Sequence, residues 1–180
     1  MESKSQTYSL PEPCGLPQEI IFDIGEQFGK HVGYHPGDDL SPIVESLGGT
    51  ISYQSFFDLD LSTSGSIEID GEQDFRIYLA THTSQARDRY TISHELGHYA
   101  LHYLLANQDG KNIQRLHAAR YGNGKVEVEA NWFAASFLMP RDAFTQRYKK
   151  HKGNVSLIAE EFGVSGQACT VRATTLRLKQ

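Results

Sequence analysis

The segment 90–102, "YTISHELGHYALH", constrains this chain most, because it combines metal-ligand side chains with helical periodicity. His94 and His98 are four residues apart, so on an α-helix they share one face, about 6 Å apart along the axis. Hydrolytic zinc sites use three protein ligands, with imidazole nitrogens at about 2.0–2.1 Å, and a glutamate that takes a proton from water. The pattern therefore predicts a zinc site with His94 and His98 as ligands and Glu95 as general base.

The alternative is a helix whose histidines face solvent or form hydrogen bonds in the core. Two features of the flanking sequence argue against it. Gly97 costs about 1 kcal/mol relative to Ala in a helix, unless a backbone or a substrate passes close to it. Apolar side chains can also be buried around the histidine pair: Ile92, Leu96, Tyr99, Ala100 and Tyr103.

The third ligand has to come from elsewhere in the chain. His102 lies two turns, about 12 Å, beyond His94, so it cannot share one ion with both earlier histidines. A carboxylate from the later helix "EVEANWFAASFLMP" is the better candidate. Glu127 and Asn131 are four apart on one face, whereas Glu129 lies about 200° around that helix from Glu127. We favour Glu127 as the ligand. Asn131 is then expected to orient one of the ligands without binding the metal itself, and Glu129 is expected to lie on a solvated face.

Composition indicates one domain and excludes several classes of protein. The 180 residues are 39% hydrophobic, enough for one well-packed domain. The net charge of −5 argues against a positive electrostatic field over the whole chain that would attract nucleic acid or an anionic membrane. Residues 141–180 are the exception, with 8 basic against 3 acidic side chains, a net of +5.

Cysteine usage and the N-terminus predict a cytoplasmic protein. Cys14 and Cys169 form no Cys-x-x-Cys pattern, so neither a disulfide framework nor a cysteine zinc site is expected. Neither a signal peptide nor a segment long enough to span a bilayer is apparent.

Hydrophobic periodicity predicts an α+β fold. We expect a helix in "LPQEIIFDIGEQFGKHVG", a helix, glycine stop and strand in "LSPIVESLGGTISYQSF", and a hairpin with strands around 67–69 and 75–79. A long helix should run from Ser84 to about Leu105, followed by irregular or weakly helical chain over 109–124. A second helix should end at Pro140, and two short helices should flank Gly163. The later helix also supplies core side chains: Trp132, Phe133, Phe137, Leu138 and Met139.

Two quoted segments resemble the signature helices of the ImmA/IrrE family of cytoplasmic zinc metallopeptidases. These are "RDRYTISHELGHYALH" and, about thirty residues later, "EVEANWFAASFLMP". The resemblance spans about residues 15–178. It implies a zincin-like core with a small antiparallel or mixed sheet, with His94, His98 and Glu127 as metal ligands and Glu95 as the catalytic carboxylate. Residues 1–14 would then be a polar lead, 15–140 the metallopeptidase core, and 141–180 a helical segment packed on it.

The resemblance also implies a substrate, a helix-turn-helix repressor of the phage type whose cleavage releases mobile-element, prophage or stress genes. Zinc is the expected metal, although a site of two histidines and one carboxylate can also hold Mn or Fe. By analogy with zincins, the strand "FRIYLAT" is expected at the edge of the cleft, where a substrate strand can add. The sequence does not rank the candidate oxyanion donors, which are Tyr99, His117, Arg120 and Tyr121.

A second reading comes from another functional class. The segment "LIAEEFGVSGQACTVRATTL" spaces its residues as a helix-turn-helix does, with Gly163 at the turn. In this reading the chain is a DNA-binding regulator whose metal site is structural or vestigial, and Gln167 and Arg172 are the candidate base readers. A third reading, a metal-free interaction protein, predicts no bound metal. Oligomeric state has no signal in the sequence.

Overall fold

The protein is described here from a computed structural model over residues 7–54, 65–119 and 124–178. Its helices are α1 (Gln18–His31), α2 (Ser41–Ser46), α3 (Gln85–Gly97), a π-helix (His98–Leu105), α4 (Ala106–Gln108), α5 (Lys125–Leu138), α6 (Arg141–Lys150), α7 (Val155–Phe162) and α8 (Gly166–Thr175). Its strands are β1 (Gly49–Gln54), β2 (Ser66–Gly71), β3 (Asp74–Ala80) and β4 (Leu116–Ala119). The predicted α+β class is confirmed.

The four strands form one mixed sheet in the order β1-β3-β2-β4. The predicted hairpin is confirmed, since β2 pairs antiparallel with β3 and places Ile67 opposite Ile77. The predicted helix, glycine stop and strand are also confirmed as α2 and β1, and β1 runs parallel to β3. Because β1 and β2 flank β3 on its two sides, the expectation that "FRIYLAT" lies at a cleft edge is wrong.

β4 is a strand that the sequence reading missed. Residues 109–124 were expected to be irregular or weakly helical, but Leu116–Ala119 pairs antiparallel with β2. Only four residues long, it contains two alanines, so it carries little of the β-branched and aromatic signal that marks a strand. The N-terminal lead adds to its outer edge: Ser9 N donates to Arg115 O at 2.9 Å, and His117 N donates to Ser9 O at 3.0 Å.

The predicted long helix is continuous, but its second part is a π-helix. Ser84 caps the start, where its side chain accepts a hydrogen bond from Arg87 N. From His98 to Leu105 the hydrogen bonds follow the wider i→i+5 pattern. A wider turn brings residues four apart more nearly into line along the axis than an α-helix does. His98 and His102 are such a pair.

Two glycines let the central helices approach α5 closely. A Cβ atom on Gly97 would lie 3.1 Å from Ala130 Cα and 3.2 Å from Ala130 O, so the backbone of α5 explains the glycine between the two histidines of the motif. A Cβ atom on Gly25 of α1 would overlap Ser136 Oγ and lie 2.9 Å from Phe133 O. Both contacts fix the position of α5.

The C-terminal helices share the hydrophobic core of the rest of the chain. The rings of Phe144 in α6 and Phe162 in α7 have centroids 5.5 Å apart, and both side chains belong to the same cluster as the sheet residues. The predicted helices around Gly163 are confirmed as α7 and α8, whereas α6 was not predicted. The domain boundary at residue 140 stays a prediction. Among the described helices, none is long and apolar enough to cross a bilayer.

We expect Gly25→Ala to lower the free energy of unfolding by about 1–3 kcal/mol, because the added methyl group overpacks the contact between α1 and α5. Chemical denaturation measures this change. Gly166→Ala is the matched control, because a Cβ atom there would lie 3.7 Å from Val155 Cγ1, an ordinary contact distance. Equal stability of Gly25→Ala and the wild-type chain would contradict the close packing described here.

Candidate metal centre

The structure brings His94, His98 and Glu127 together. His94 Nε2 lies 3.2 Å from His98 Nε2 and 3.1 Å from Glu127 Oε2, and His98 Nε2 lies 3.4 Å from Glu127 Oε1. Within the described ranges, this is the group of His, Cys, Asp and Glu side chains whose ligand atoms converge as a metal site requires. The arrangement follows from the close approach of α3 to α5.

These distances fit a tetrahedral ion. Ligand atoms bound at about 2.0–2.1 Å to a tetrahedral centre are about 3.3–3.4 Å from one another. His94 Nε2 lies 3.2 Å from His98 Nε2 and 3.1 Å from Glu127 Oε2, both close to that value, and the second carboxylate oxygen, Oε1, lies 3.4 Å from His98 Nε2. Two imidazoles and one carboxylate are also a donor set typical of hydrolytic zinc sites, which leave a fourth position for water or substrate.

The environment holds both ligand types in the form that binds a metal. Burial lowers the pKa of His98 to about 4, so its imidazole is neutral at pH 7 and offers a nitrogen lone pair. Burial alone would raise the pKa of Glu127, but the neighbouring imidazoles of His94 and His98 outweigh burial and hold that pKa well below its usual range. Glu127 therefore offers a charged carboxylate.

Asn131 lies where it can orient His94. Its Oδ1 atom is 2.9 Å from His94 Nδ1 and accepts a hydrogen bond from the Tyr90 hydroxyl at 2.8 Å. An amide oxygen is an acceptor only, so His94 Nδ1 carries the proton and Nε2 is free to face His98 and Glu127. The sequence indicated Asn131 by its spacing from Glu127. Tyr90 was missed, because neither its spacing nor its residue type marks it as a partner of a residue in another helix.

Glu95 follows His94 directly in α3 and is buried, with 1% of its surface exposed. Its place in the helix, directly after the first of the converging histidines, is the one that the motif assigns to the general base. Its catalytic role remains a prediction.

The expectation that Glu129 lies on a solvated face is wrong. Glu129 has no exposed surface, and its Oε2 atom lies 3.0 Å from His102 Nε2. His102 Nδ1 in turn lies 3.0 Å from His98 Nδ1. The four-residue spacing of His98 and His102 could have indicated this contact. The position of Glu129 could not be read from the sequence, because α5 is buried on more than one side.

The candidate oxyanion donors have different outcomes. The Tyr99 hydroxyl donates to Glu72 O and its ring packs against Phe75 at 4.5 Å, which occupies Tyr99 with the sheet. His117 lies in β4, with its ring 6.1 Å from that of Tyr8. Arg120 and Tyr121 lie outside the described residues.

The candidate DNA-reading helix, α8, exposes no basic side chain. Its exposed residues are Gly166, Gln167, Thr170, Val171 and Thr174. Arg172, named as a base reader, is 2% exposed, and its Nε atom donates to Met139 O at 2.9 Å. Its Nη2 atom donates to Glu26 Oε1 at 3.1 Å. Arg172 therefore ties α8 to the core and is not available to a base edge.

We expect the metal-free protein to lose stability as the pH falls from about 6.5 to about 4. The pKa of His98 lies near 4 in the folded state and near 6.5 in an unfolded chain, so the unfolded state binds a proton that the folded state does not. Urea unfolding across this range measures the loss, and His98→Gln should reduce its slope. An NMR titration in which the His98 imidazole protonates at or above pH 6.5 would contradict this expectation.

A search of the solved structures finds a chain described as a Mycobacterium tuberculosis transcriptional regulator. It shares 15% sequence identity with this chain at a TM-score of 0.59, and the match covers 88% of this chain and 52% of that one. At this identity the likeness shows a common fold, and this chain spans about half the length of that protein. No curated protein matches the sequence.

A family model described as the IrrE N-terminal-like domain, peptidase M78, matches residues 57–174. The match includes both signature helices, the sheet strands β2 to β4 and most of α8. It covers more than half of the sequence and agrees with the resemblance found in the motifs. The chain belongs to the IrrE N-terminal-like family of M78 peptidases, the ImmA/IrrE family.

Proposed function

We propose that this protein is a zinc-dependent endopeptidase whose metal ligands are His94, His98 and Glu127. The observation that carries the proposal is the convergence of the two imidazole Nε2 atoms and the Glu127 carboxylate, with contacts of 3.1–3.4 Å between the side chains. The buried Glu95 follows His94 directly in α3. Membership of an M78 peptidase family supports the same reaction class. In this proposal α3 and α5 form a zincin-like core, and residues 141–180 are a helical segment that packs on it.

In the proposed reaction, each residue has a separate task. A bound zinc ion would polarise the peptide carbonyl and make water more acidic. The Glu95 carboxylate takes a proton from the attacking water and delivers it to the amine of the leaving peptide. Asn131 holds the proton on His94 Nδ1, which keeps Nε2 available as a ligand atom. Mn or Fe could take the place of zinc, because the same donor set suits several divalent metals.

The proposed substrate is a helix-turn-helix repressor of the phage type, cut to release mobile-element, prophage or stress genes. Family membership supports this choice, and a cytoplasmic location follows from it because such repressors act on DNA inside the cell. DNA binding by this chain itself is a weaker candidate, because α8 exposes no basic side chain and Arg172 is buried.

We expect purified wild-type protein to bind about one zinc per chain and Glu127→Gln to bind zinc far more weakly. The loss should exceed the roughly 10–100-fold that follows from removing an outer hydrogen-bond partner of a ligand. Elemental analysis and competition with a chromophoric chelator measure both. Glu26→Gln is the control, because that half-buried carboxylate pairs with Arg172 and lies outside the ligand cluster.

Glu95→Gln should keep zinc and lose cleavage, because the amide cannot accept a proton from water. The measurement is mass spectrometry of each purified helix-turn-helix repressor from the same genome after incubation with zinc-loaded wild type or variant. A Glu95→Gln protein that still cuts would overturn the role of Glu95. A wild-type protein that takes up no zinc under reconstitution would overturn the peptidase proposal itself.

A further inference from the structure

Glu129 is a buried carboxylate with three hydrogen-bond donors, and no part of the proposed reaction uses it. Cys14 N donates to Oε2 at 2.8 Å, Gly15 N donates to Oε1 at 2.9 Å, and His102 Nε2 lies 3.0 Å from Oε2. Each carboxylate oxygen thus accepts a backbone N–H, and the carboxylate acts as the acceptor in all three contacts.

The direction of each hydrogen bond from Glu129 to His98 follows from that arrangement of donors. Because Glu129 can only accept, His102 carries its proton on Nε2. A neutral His102 then has a lone pair on Nδ1, which lies 3.0 Å from His98 Nδ1. His98 must supply the proton of that contact from Nδ1. Its Nε2 atom, which faces His94 and Glu127, is left with the lone pair that a metal needs.

We propose that Glu129 and His102 are positioning residues of the metal centre, which fix the tautomer and orientation of His98 through a buried hydrogen-bond chain. The inference rests on the proposed function, since it assigns His98 Nε2 as a metal ligand. This hydrogen-bond chain holds the proton on His98 Nδ1, as Asn131 holds the proton on His94 Nδ1. Without it, His98 could place its proton on Nε2, and that tautomer cannot bind a metal through Nε2.

Two structural features hold this hydrogen-bond chain in place. The π-helix begins at His98, and its wider turn brings His98 and His102 into line, with their Nδ1 atoms in contact. At the Glu129 end, the hydrogen-bond chain is anchored by two backbone amides, that of Cys14 in the N-terminal lead and that of Gly15 directly after it. All three side chains are buried, with exposures of 0–1%, so water cannot easily replace either contact.

The test is the zinc affinity of substituted full-length chains. Glu129→Gln removes the negative charge of the carboxylate. Its amide nitrogen is a hydrogen-bond donor and would face one of the three groups that themselves donate to Glu129. His102→Leu removes both contacts at similar volume. Each should weaken zinc binding by roughly 10–100-fold in chelator competition, and each should change the visible absorption spectrum of the Co²⁺-loaded protein. Because Glu129 and His102 belong to one hydrogen-bond chain, the double variant should lose little more zinc affinity than the single variant that binds zinc more weakly.

His102→Gln is the conservative variant, because its amide can accept from His98 and donate to Glu129. It should retain more zinc affinity than His102→Leu. Glu26→Gln again serves as the control, with affinity within about twofold of wild type while its stability falls. Thermal unfolding of each metal-free variant establishes that it folds.

Zinc affinity and Co²⁺ spectra equal to wild type in folded Glu129→Gln and His102→Leu, with only a lower unfolding temperature, would overturn the positioning role. The pair would then be a structural anchor for the lead. Because the readout is zinc binding, a wild-type chain that binds zinc and cuts no repressor would overturn the proposed substrate alone. A wild-type chain that binds no zinc would overturn both proposals.

Discussion

The close contact between α3 and α5 is the constraint on which the rest of the site depends. Gly97 faces the backbone of Ala130 so closely that a Cβ atom would lie only 3.1 Å from Ala130 Cα, tighter than an ordinary contact. With the two backbones this close, a glutamate on α5 can contact both His94 at the end of α3 and His98 at the start of the π-helix. The contact therefore sets the distances among the ligand atoms before any metal is considered. A looser helix pair would keep the same residues and lose the geometry.

Burying so many polar groups requires a partner for each of them. Burial of an ionisable group is unfavourable unless hydrogen bonds or opposite charges compensate for it. Asn131 and Tyr90 complete the network around His94, and His102 and Glu129 complete it around His98. The two networks differ in their surroundings, since Asn131 is exposed and Glu129 is fully buried. The His98 network is thus the more shielded from solvent.

Local patterns in the sequence predicted much of the fold and the ligand cluster. The four-residue spacing of His94 and His98, and that of Glu127 and Asn131, are properties of single helices and can be read from the sequence. The antiparallel pairing of β2 and β3 is equally local. Features that join distant segments were missed or misread. These are β4, the central position of β3 and the burial of Glu129, because each depends on which elements become neighbours in space.

The hydrogen bonds of Glu129 to the lead have a consequence for how the family domain is delimited. The family match begins at residue 57, but two of the three donors to Glu129 come from residues 14 and 15. A shortened protein cut at the family boundary would contain every side chain of the ligand cluster and still leave a buried carboxylate without two of its partners. For this chain, the region of shared sequence is therefore smaller than the unit that folds around the site.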